Sequence, residues 1–357
     1  MRLAVVLVHY HAGELTRRAL QHLAADAERS NLELETVVID HGGTADDRAV
    51  LATLRGVRVV DPGANRGYSG GVNRGVDETA ADSILLLNPD VRLQSGALLQ
   101  LLAPLQRGYG VAGPRFYWDA ERRFLLPPAE ERGRWPAVLE ALAATSQRWA
   151  GVARRRWRRQ ARRHWRATEI LDSHDLSGGC LLVTRAAWRR VGAFDEAYRL
   201  YFEETDWLLR ARRLGIRSAH VPAALAIHDV GRSAAREARA QLWFEESAAL
   251  FRRRQYGEGF AGFVERLGGR SGRLNPEPRP GEALFVGDES LVPGLPVWVE
   301  ISPNPSGYPA ASERIAIRGA GAWSPPPRVR EALSEGHWTL RLVSDRGREG
   351  GPRRPPP

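Results

Sequence analysis

Lysine is absent: all 52 basic side chains in the 357 residues are arginine. A phosphate-binding loop of the Gly-Lys-Ser/Thr type is therefore excluded. Cysteine occurs once, at Cys180, so no internal disulfide and no cysteine-based zinc site exists. Its setting, "GGCLLVT", reads as a buried small hydrophobe. No run approaches 18 consecutive apolar residues, which excludes a membrane-spanning helix on sequence grounds. The opening "MRLAVVLVHY" is too short and too broken by His9 for a secretory signal, and no small-residue cleavage site follows. It reads as a first buried strand. No long-period repeat is visible.

What is present starts with charge. The formal net charge of +10 favours anionic partners. A hydrophobic content of 43% supports a real core. The first half alternates: "RLAVVLVHY", "LETVVID", "VRVVD", "SILLLNPD" and "GVAGPRF" as strands, with "ELTRRALQHLAADAE", "DDRAVLATLR" and "SGALLQLLAPLQ" as helices between them. Continuous Val/Ile/Leu strands in such an order predict an α/β domain with a mostly parallel sheet flanked by helices. Ligands bind such sheets at the carboxyl ends of the strands, where His9, Asp40, Asp61 and Asp90 fall.

Residues 130–168 break the pattern. "RRRWRRQARRHWR", at 154–166, predicts an Arg/Trp-rich helical insert. Three readings fit it: a solvated helix, a nucleic-acid surface, or a face for an anionic membrane. Residues 268–280 read as a Gly/Pro/Arg linker. Beyond it, "LPVWVEIS", "ERIAIRG" and "HWTLRLVS" alternate at period two, which predicts a small all-β, sandwich-like module over 281–345. Trp298, Trp323 and Trp338 in that module read as core first and as a glycan-stacking surface second. The tail, 346–357, reads as disordered. The remaining span, 1–267, is the main domain.

Four stretches carry the chemistry. "NRGYSGGVNRG", at 65–75, is either a tight strand-to-helix turn or a backbone bared for a ligand. "VVID" and "LLLNPD" end in Asp40 and Asp90, each able to cap a helix or to bind a base, a ribose or a metal. In "NPD", Asn88 and Asp90 both address one site, as oxygen ligands for Mg²⁺ or Mn²⁺ would. "YFEETDW" crowds Glu203, Glu204 and Asp206 at a helix start, more carboxylates than the helix dipole calls for. Such crowding raises a carboxyl's pKa, which suits a general base. Finally His228, in "AIHDVGRS", follows an apolar run and precedes Gly231 and Ser233.

Taken in order, "VVLVHYH", "VVIDHGG", "NRGYSGGVNRG", "LLLNPDV", "LSGGCLLVTRAAWRRVGAFDE", "YFEETDWLLRARRLG" and "AIHDVGRS" resemble family 2 glycosyltransferases, above all the bacterial rhamnosyltransferase-like branch. The resemblance spans roughly residues 1–255, with a gap at 115–170. It implies a GT-A fold and an inverting transfer from a nucleoside diphosphate sugar, dTDP- or UDP-linked, with rhamnose as one candidate sugar. It implies that His9, Asp40, Asn65, Gly67, Tyr68, Gly71, Asn73, Asn88 and Asp90 line the nucleotide-sugar pocket. Asp90 and His228 would hold a divalent metal, Mg²⁺ or Mn²⁺. Glu204 matches the family's base, with Asp206 and Glu203 beside it. The chain departs from the family pattern in "IDHGG", where His41 replaces Asn, in Glu204, where Asp is common, and in an acidic metal motif reduced to "NPD".

The implied acceptor is a glycan or lipid-linked sugar of cell-surface polysaccharide synthesis. That context favours a membrane over nucleic acid as the partner of residues 154–166, with the chain cytoplasmic and peripheral at the inner face of the cell membrane. The alternative is a catalytically silent sugar-nucleotide or glycan-binding protein.

Overall fold

In the first strand, β1 (Arg2–His9), only Arg2 is exposed. A strand of that kind must be covered on both faces, and the elements that follow supply the cover. The structure, a computed structural model, describes residues 1–229, 240–268, 283–286, 296–304, 306–316, 323–335 and 338–344. The chain forms two compact units, Met1–Arg115 with His164–Phe263 and Phe116–Arg163 with Val264–Pro357.

After β1 come α1 (Gly13–Arg29), β2 (Glu33–Asp40), α2 (Ala45–Ala52), β3 (Val57–Val60), α3 (Gly67–Asp77), β4 (Ser83–Leu87), β5 (Val91–Leu93), α4 (Ala97–Leu105) and β6 (Val111–Tyr117). Then follow α5 (Arg134–Ala143), α6 (Gln147–Trp165), β7 (Leu171–Asp172), β8 (Cys180–Thr184), α7 (Arg185–Val191), α8 (Glu203–Arg213), β9 (Ser218–His228), α9 (Ala240–Tyr256) and α10 (Glu258–Gly268). The last elements are β10 (Ala283–Val286), β11 (Pro296–Ser302), β12 (Ala311–Ala316), α11 (Pro327–Glu335) and β13 (Trp338–Ser344).

A nine-stranded sheet in the order β3-β2-β1-β4-β8-β6-β9-β5, with β7 on β9, organises the first unit. Its β3-β2-β1-β4 half is parallel, as the alternation predicts. Beyond β4 the pairs β4–β8, β8–β6, β9–β5 and β9–β7 are antiparallel. A continuous apolar run such as "SILLL" or "CLLVT" says that a strand is buried and nothing of its direction, so the reversal is invisible in the pattern. One core joins Val6, Val8, Ile84 and Leu86 to Val72 and Val76 of α3 and to Trp188 and Trp207. Gly75 is where α3 meets the sheet: a Cβ there would lie 2.3 Å from Val6 Cγ1.

In the second unit the sheet order is β10-β13-β11-β12. β11 runs antiparallel to both β12 and β13, and β10 runs parallel to β13. Val299, Ile301 and Leu340 pack with Trp118, Phe124 and Val329, so the cover comes from α11 and the 118–124 turn instead of a second sheet. Trp298 is 1% exposed, and the indoles of Trp323 and Trp338 donate to Glu313 and to the Ala332 carbonyl. All three are core or half-buried residues.

The Arg/Trp helix belongs to this second unit over most of its length. Trp157 and Trp165 are buried. Arg158, also buried, forms a two-pronged ion pair with Glu300 of β11, with Nε 2.7 Å from Oε1 and one terminal nitrogen 2.8 Å from Oε2. Arg162 lies over the Trp298 ring and donates to the Ser344 carbonyl. These side chains are thereby withdrawn from any membrane or nucleic-acid face, leaving Arg155, Arg159 and Arg163 on the exposed side. The expected linker after Gly268, the tail at 346–357, and Gly231 and Ser233 lie outside the described residues.

Candidate active site

A strand register creates the centre of the site. β5 and β9 pair antiparallel with Val91 opposite His228, which sets Asp90 beside the imidazole. His228 Nε2 is 3.3 Å from Asp90 Oδ1. The Asp229 N–H donates to the Asp90 carbonyl at 2.9 Å and locks the register. Asp90 is 5% exposed. Two positions before it, Asn88 has a buried Oδ1 with no hydrogen-bond partner among the described residues. An oxyanion, an imidazole and an orphaned carboxamide oxygen form a donor set that fits a divalent cation. Among the described residues no group of three His, Cys, Asp or Glu side chains is placed for a metal. The remaining coordination would fall to substrate oxygens and water, the habit of Mg²⁺ in particular.

Two glycines shape the space around this pair. A Cβ on Gly179 would stand 3.1 Å from His228 Cε1, and one on Gly178 would stand 2.9 Å from Glu204 Cγ. The Gly179 carbonyl accepts the Asn88 N–H at 2.9 Å. These two positions carry no role in the sequence reading. Their signal was a glycine pair immediately before a buried strand.

The carboxylates arrive from the opposite side on α8. The helix is entered through Tyr201 and Phe202, at φ +68° and +70°. That region is unfavourable for bulky side chains and persists only where packing enforces it. Here Phe202 packs against Phe244 and Phe251, Tyr201 packs against Phe244, and the Ser247 hydroxyl donates to the Leu200 carbonyl. Helix α9 thus clamps the entry turn that aims Glu203 and Glu204. Glu203 is 5% exposed, and its Oε2 has no hydrogen-bond partner among the described residues. Burial, reinforced by the Glu204 charge, pushes its carboxyl well above the usual range. Glu204 is half-buried, against Gly178.

Tyr68 completes the cluster. Burial pushes its phenol up, and the charges of Glu203, Glu204 and Asp90 add to the effect, so all three carboxylates act on one hydroxyl. Its backbone N–H donates to the Arg199 carbonyl at 2.8 Å. Gly67, at φ +76°, makes that contact possible, because a Cβ would come within 2.4 Å of the same oxygen. Gly70 and Gly71 likewise face protein: Arg66 in one case, Val8 and His41 in the other. The bare backbone of this segment admits neighbouring chain, and Tyr68 is set by it. Asn65 accepts the Gly67 N–H and forms the turn ahead of α3.

At the carboxyl ends of β1 and β2, His9 and Asp40 are register partners. His9 Nε2 is 3.8 Å from Asp40 Oδ1, and that oxygen accepts the Gly42 N–H at 2.9 Å. His41 is buried beside them, and burial lowers its pKa. Two of the expected residues stand elsewhere. Asn73 exchanges two hydrogen bonds with the Phe194 backbone and a third with Glu196, which makes it a clamp for that loop. Asp206 faces inward, bound by Arg210 at 2.8 Å and by Gln255, with the Tyr198 hydroxyl 3.5 Å away. Cys180 is fully buried, as expected.

The profile described as "Glycosyl transferase family 2" matches residues 4–192. The chain belongs to glycosyl transferase family 2. This family 2 chain is 30% identical over 265 residues to "N-acetylglucosaminyl-diphospho-decaprenol L-rhamnosyltransferase" of Mycobacterium tuberculosis, covering 67% of its own length and 80% of the relative's. It is 24% identical over 232 residues to "Low-salt glycan biosynthesis hexosyltransferase Agl10" of Haloferax volcanii, with coverages of 64% and 67%. Among solved structures it resembles mannosyltransferase PcManGT from Pyrobaculum calidifontis in complex with GDP-Man and Mn²⁺, at a TM-score of 0.44, 13% identity and 76% coverage of each chain. The family 2 glycosyltransferase has the GT-A-type sheet that its motifs led one to expect, with a separate small C-terminal sheet. Glu203, Glu204 and His228 lie beyond the matched residues and are read from geometry.

Proposed function

We propose that this family 2 glycosyltransferase moves a sugar from a nucleoside diphosphate donor to a hydroxyl of a lipid-linked glycan, with inversion at the anomeric carbon. The observation that carries the reading is the convergence of Glu204, Glu203, Tyr68, Asp90 and His228 on one site. Glu204, half-buried and lying close against Gly178, takes the proton of the acceptor hydroxyl as that oxygen attacks. Glu203 lies buried beside it, with its carboxyl raised well above the usual range. Tyr68 offers its hydroxyl to the sugar. Asp40 and His9 take the nucleoside, at the strand ends where open α/β sheets bind nucleotides.

Asp90 and His228, with Asn88 beside them, would hold the divalent cation. When bound, Mg²⁺ or Mn²⁺ offsets the charge that gathers on the leaving diphosphate. The relative named as a rhamnosyltransferase supports rhamnose as the sugar and a polyprenyl-linked sugar as the acceptor. Such an acceptor brings the enzyme to a membrane surface. No helix among the described residues is long and apolar enough to cross one.

The test is transfer from a panel of dTDP- and UDP-sugars to a synthetic polyprenyl-diphosphate-N-acetylglucosamine, with the product's anomeric configuration read by NMR. Inverted configuration from one donor supports the reading. Retention, or no transfer from any donor, contradicts it.

A further inference from the structure

Arg199 stands on the loop that runs into α8, and its side chain is exposed. Among the described residues no carboxylate pairs with it. It is nonetheless held firmly. Its carbonyl accepts the Tyr68 N–H at 2.8 Å, in the close approach that Gly67 permits. Its guanidinium carbon lies 4.9 Å from the ring centroid of Trp243 on α9. Stacking on an indole uses the face of the guanidinium and leaves the in-plane N–H edge open, the edge that binds a phosphate through paired hydrogen bonds.

Burial chiefly holds the His41 imidazole below its ordinary range; the Asp40 charge opposes this, and the Arg199 and His9 charges add to it. The geometry agrees: a Cβ on Gly67 would lie 2.8 Å from Arg199 Cγ, and one on Gly71, a turn further along α3, would lie 2.8 Å from His41 Cε1, so Arg199 stands near the carboxyl ends of β1 and β2. There Asp40 is engaged by His9 and by the Gly42 N–H. The same loop fixes Tyr68, whose hydroxyl feels Asp90 and Glu204. The unpaired guanidinium thus belongs to the frame that joins the nucleoside end of the site to its carboxylate end.

We infer that Arg199 receives the diphosphate of the donor, with Trp243 as the positioning residue that holds the guanidinium face so that its N–H edge meets the phosphate oxygens. The inference rests on the donor-site reading above and names the group that neutralises the donor beside the cation site. It also explains why a loop residue so near the base should be tied by its backbone to Tyr68: movement of the loop would shift the base, the phenol and the phosphate ligand together.

The experiment is calorimetric binding to the full-length chain in Mg²⁺, with UDP, dTDP, uridine and thymidine as probes, for wild type, Arg199→Gln and Trp243→Leu. Arg199→Gln should weaken UDP and dTDP by about tenfold to a hundredfold, the range for a lost charge-assisted hydrogen-bond pair, and leave both nucleosides unchanged. Trp243→Leu should show a smaller loss with the same selectivity. Equal losses for nucleosides and nucleoside diphosphates, or no loss for either, would overturn the proposal. A wild type that binds none of the four probes would overturn the donor-site reading and the proposal with it. Both variants should melt close to wild type, since Arg199 is exposed and Trp243 half-buried. A variant that unfolds is replaced by Arg199→Lys, which keeps the charge without the fork and should lose diphosphate affinity selectively.

Discussion

Asp90 and His228 meet at 3.3 Å across the β5–β9 register, although one ends the fourth strand's loop and the other closes the ninth strand. Neither residue needs the other for stability of the fold, since the sheet hydrogen bonds set the register. On the proposed reading, a pair held this way would serve as a fixed arm for a cation.

Asp90→Ala and His228→Ala should therefore each weaken binding of a nucleoside diphosphate in Mn²⁺ by about tenfold or more, the scale of a lost ligand or its orienting partner. In EDTA the variants and the wild type should bind alike. Titration calorimetry with and without chelator checks this. Equal affinity of wild type in both conditions would remove the cation from donor binding.

Gly178→Ala tests the shape of the space around the base. The added methyl would stand 2.9 Å from Glu204 Cγ and 3.1 Å from Cδ, so the carboxylate must move. Misplacement of about 1 Å costs on the order of 10²-fold in rate. The fold should hold, because Gly178 is not at positive φ. Turnover and thermal melting together check this: a slow, stable variant is expected. Near-normal turnover would show that Glu204 tolerates the shift.

The strands of the first unit, and the alignment of Asp40 and Asp90 at their ends, were legible because buried parallel strands declare themselves as apolar runs and their ends attract the polar residues. The antiparallel half was not, since direction leaves no mark in such a run. Asn73 and Asp206 looked like site residues by type and spacing. Their partners, the Phe194 backbone and Arg210 with Gln255, are set by tertiary contacts that no local pattern encodes. The Arg/Trp helix misleads for the same reason. Its basic and aromatic face becomes an interior face once Glu300 and Trp298 arrive from far along the chain.

Glu300→Ala should be severely destabilising. It takes from the buried Arg158 guanidinium the carboxylate that it faces, at a cost of about 3–5 kcal/mol. The double variant Arg158→Met/Glu300→Leu should recover most of that loss, because it removes both charges. Denaturant unfolding of the three proteins checks the ordering. For the same reason a chain ending at residue 280 should aggregate, since it strips the cover from Trp118, Phe124 and Arg158.

Stability should fall in mild acid, and His220 contributes to the fall. Burial, with the nearby His164 and Arg115 charges, pushes its pKa down to about 3 from an ordinary 6.5. Between those values the unfolded chain binds a proton that the native chain refuses, so stability rises with pH across the window and is fully present above 6.5. The slope is at most about 1.4 kcal/mol per pH unit for one such group. His220→Gln should flatten the pH dependence of the melting temperature between pH 6.5 and 4. An unchanged slope would mean that His220 is accessible to protons in the native state.

The central claim is that Glu204 is the base, and one comparison tests it most directly: Glu204→Gln against wild type, with donor affinity and sugar transfer measured on the same samples. The account predicts donor affinity within about twofold of wild type and transfer reduced by about 10²–10⁴-fold, the usual weight of a positioned general base. Asp206→Asn, in contrast, should act through stability, because its carboxylate is committed to Arg210 and Gln255. Near-normal transfer by Glu204→Gln, with transfer lost in a stably folded Asp206→Asn, would contradict the account.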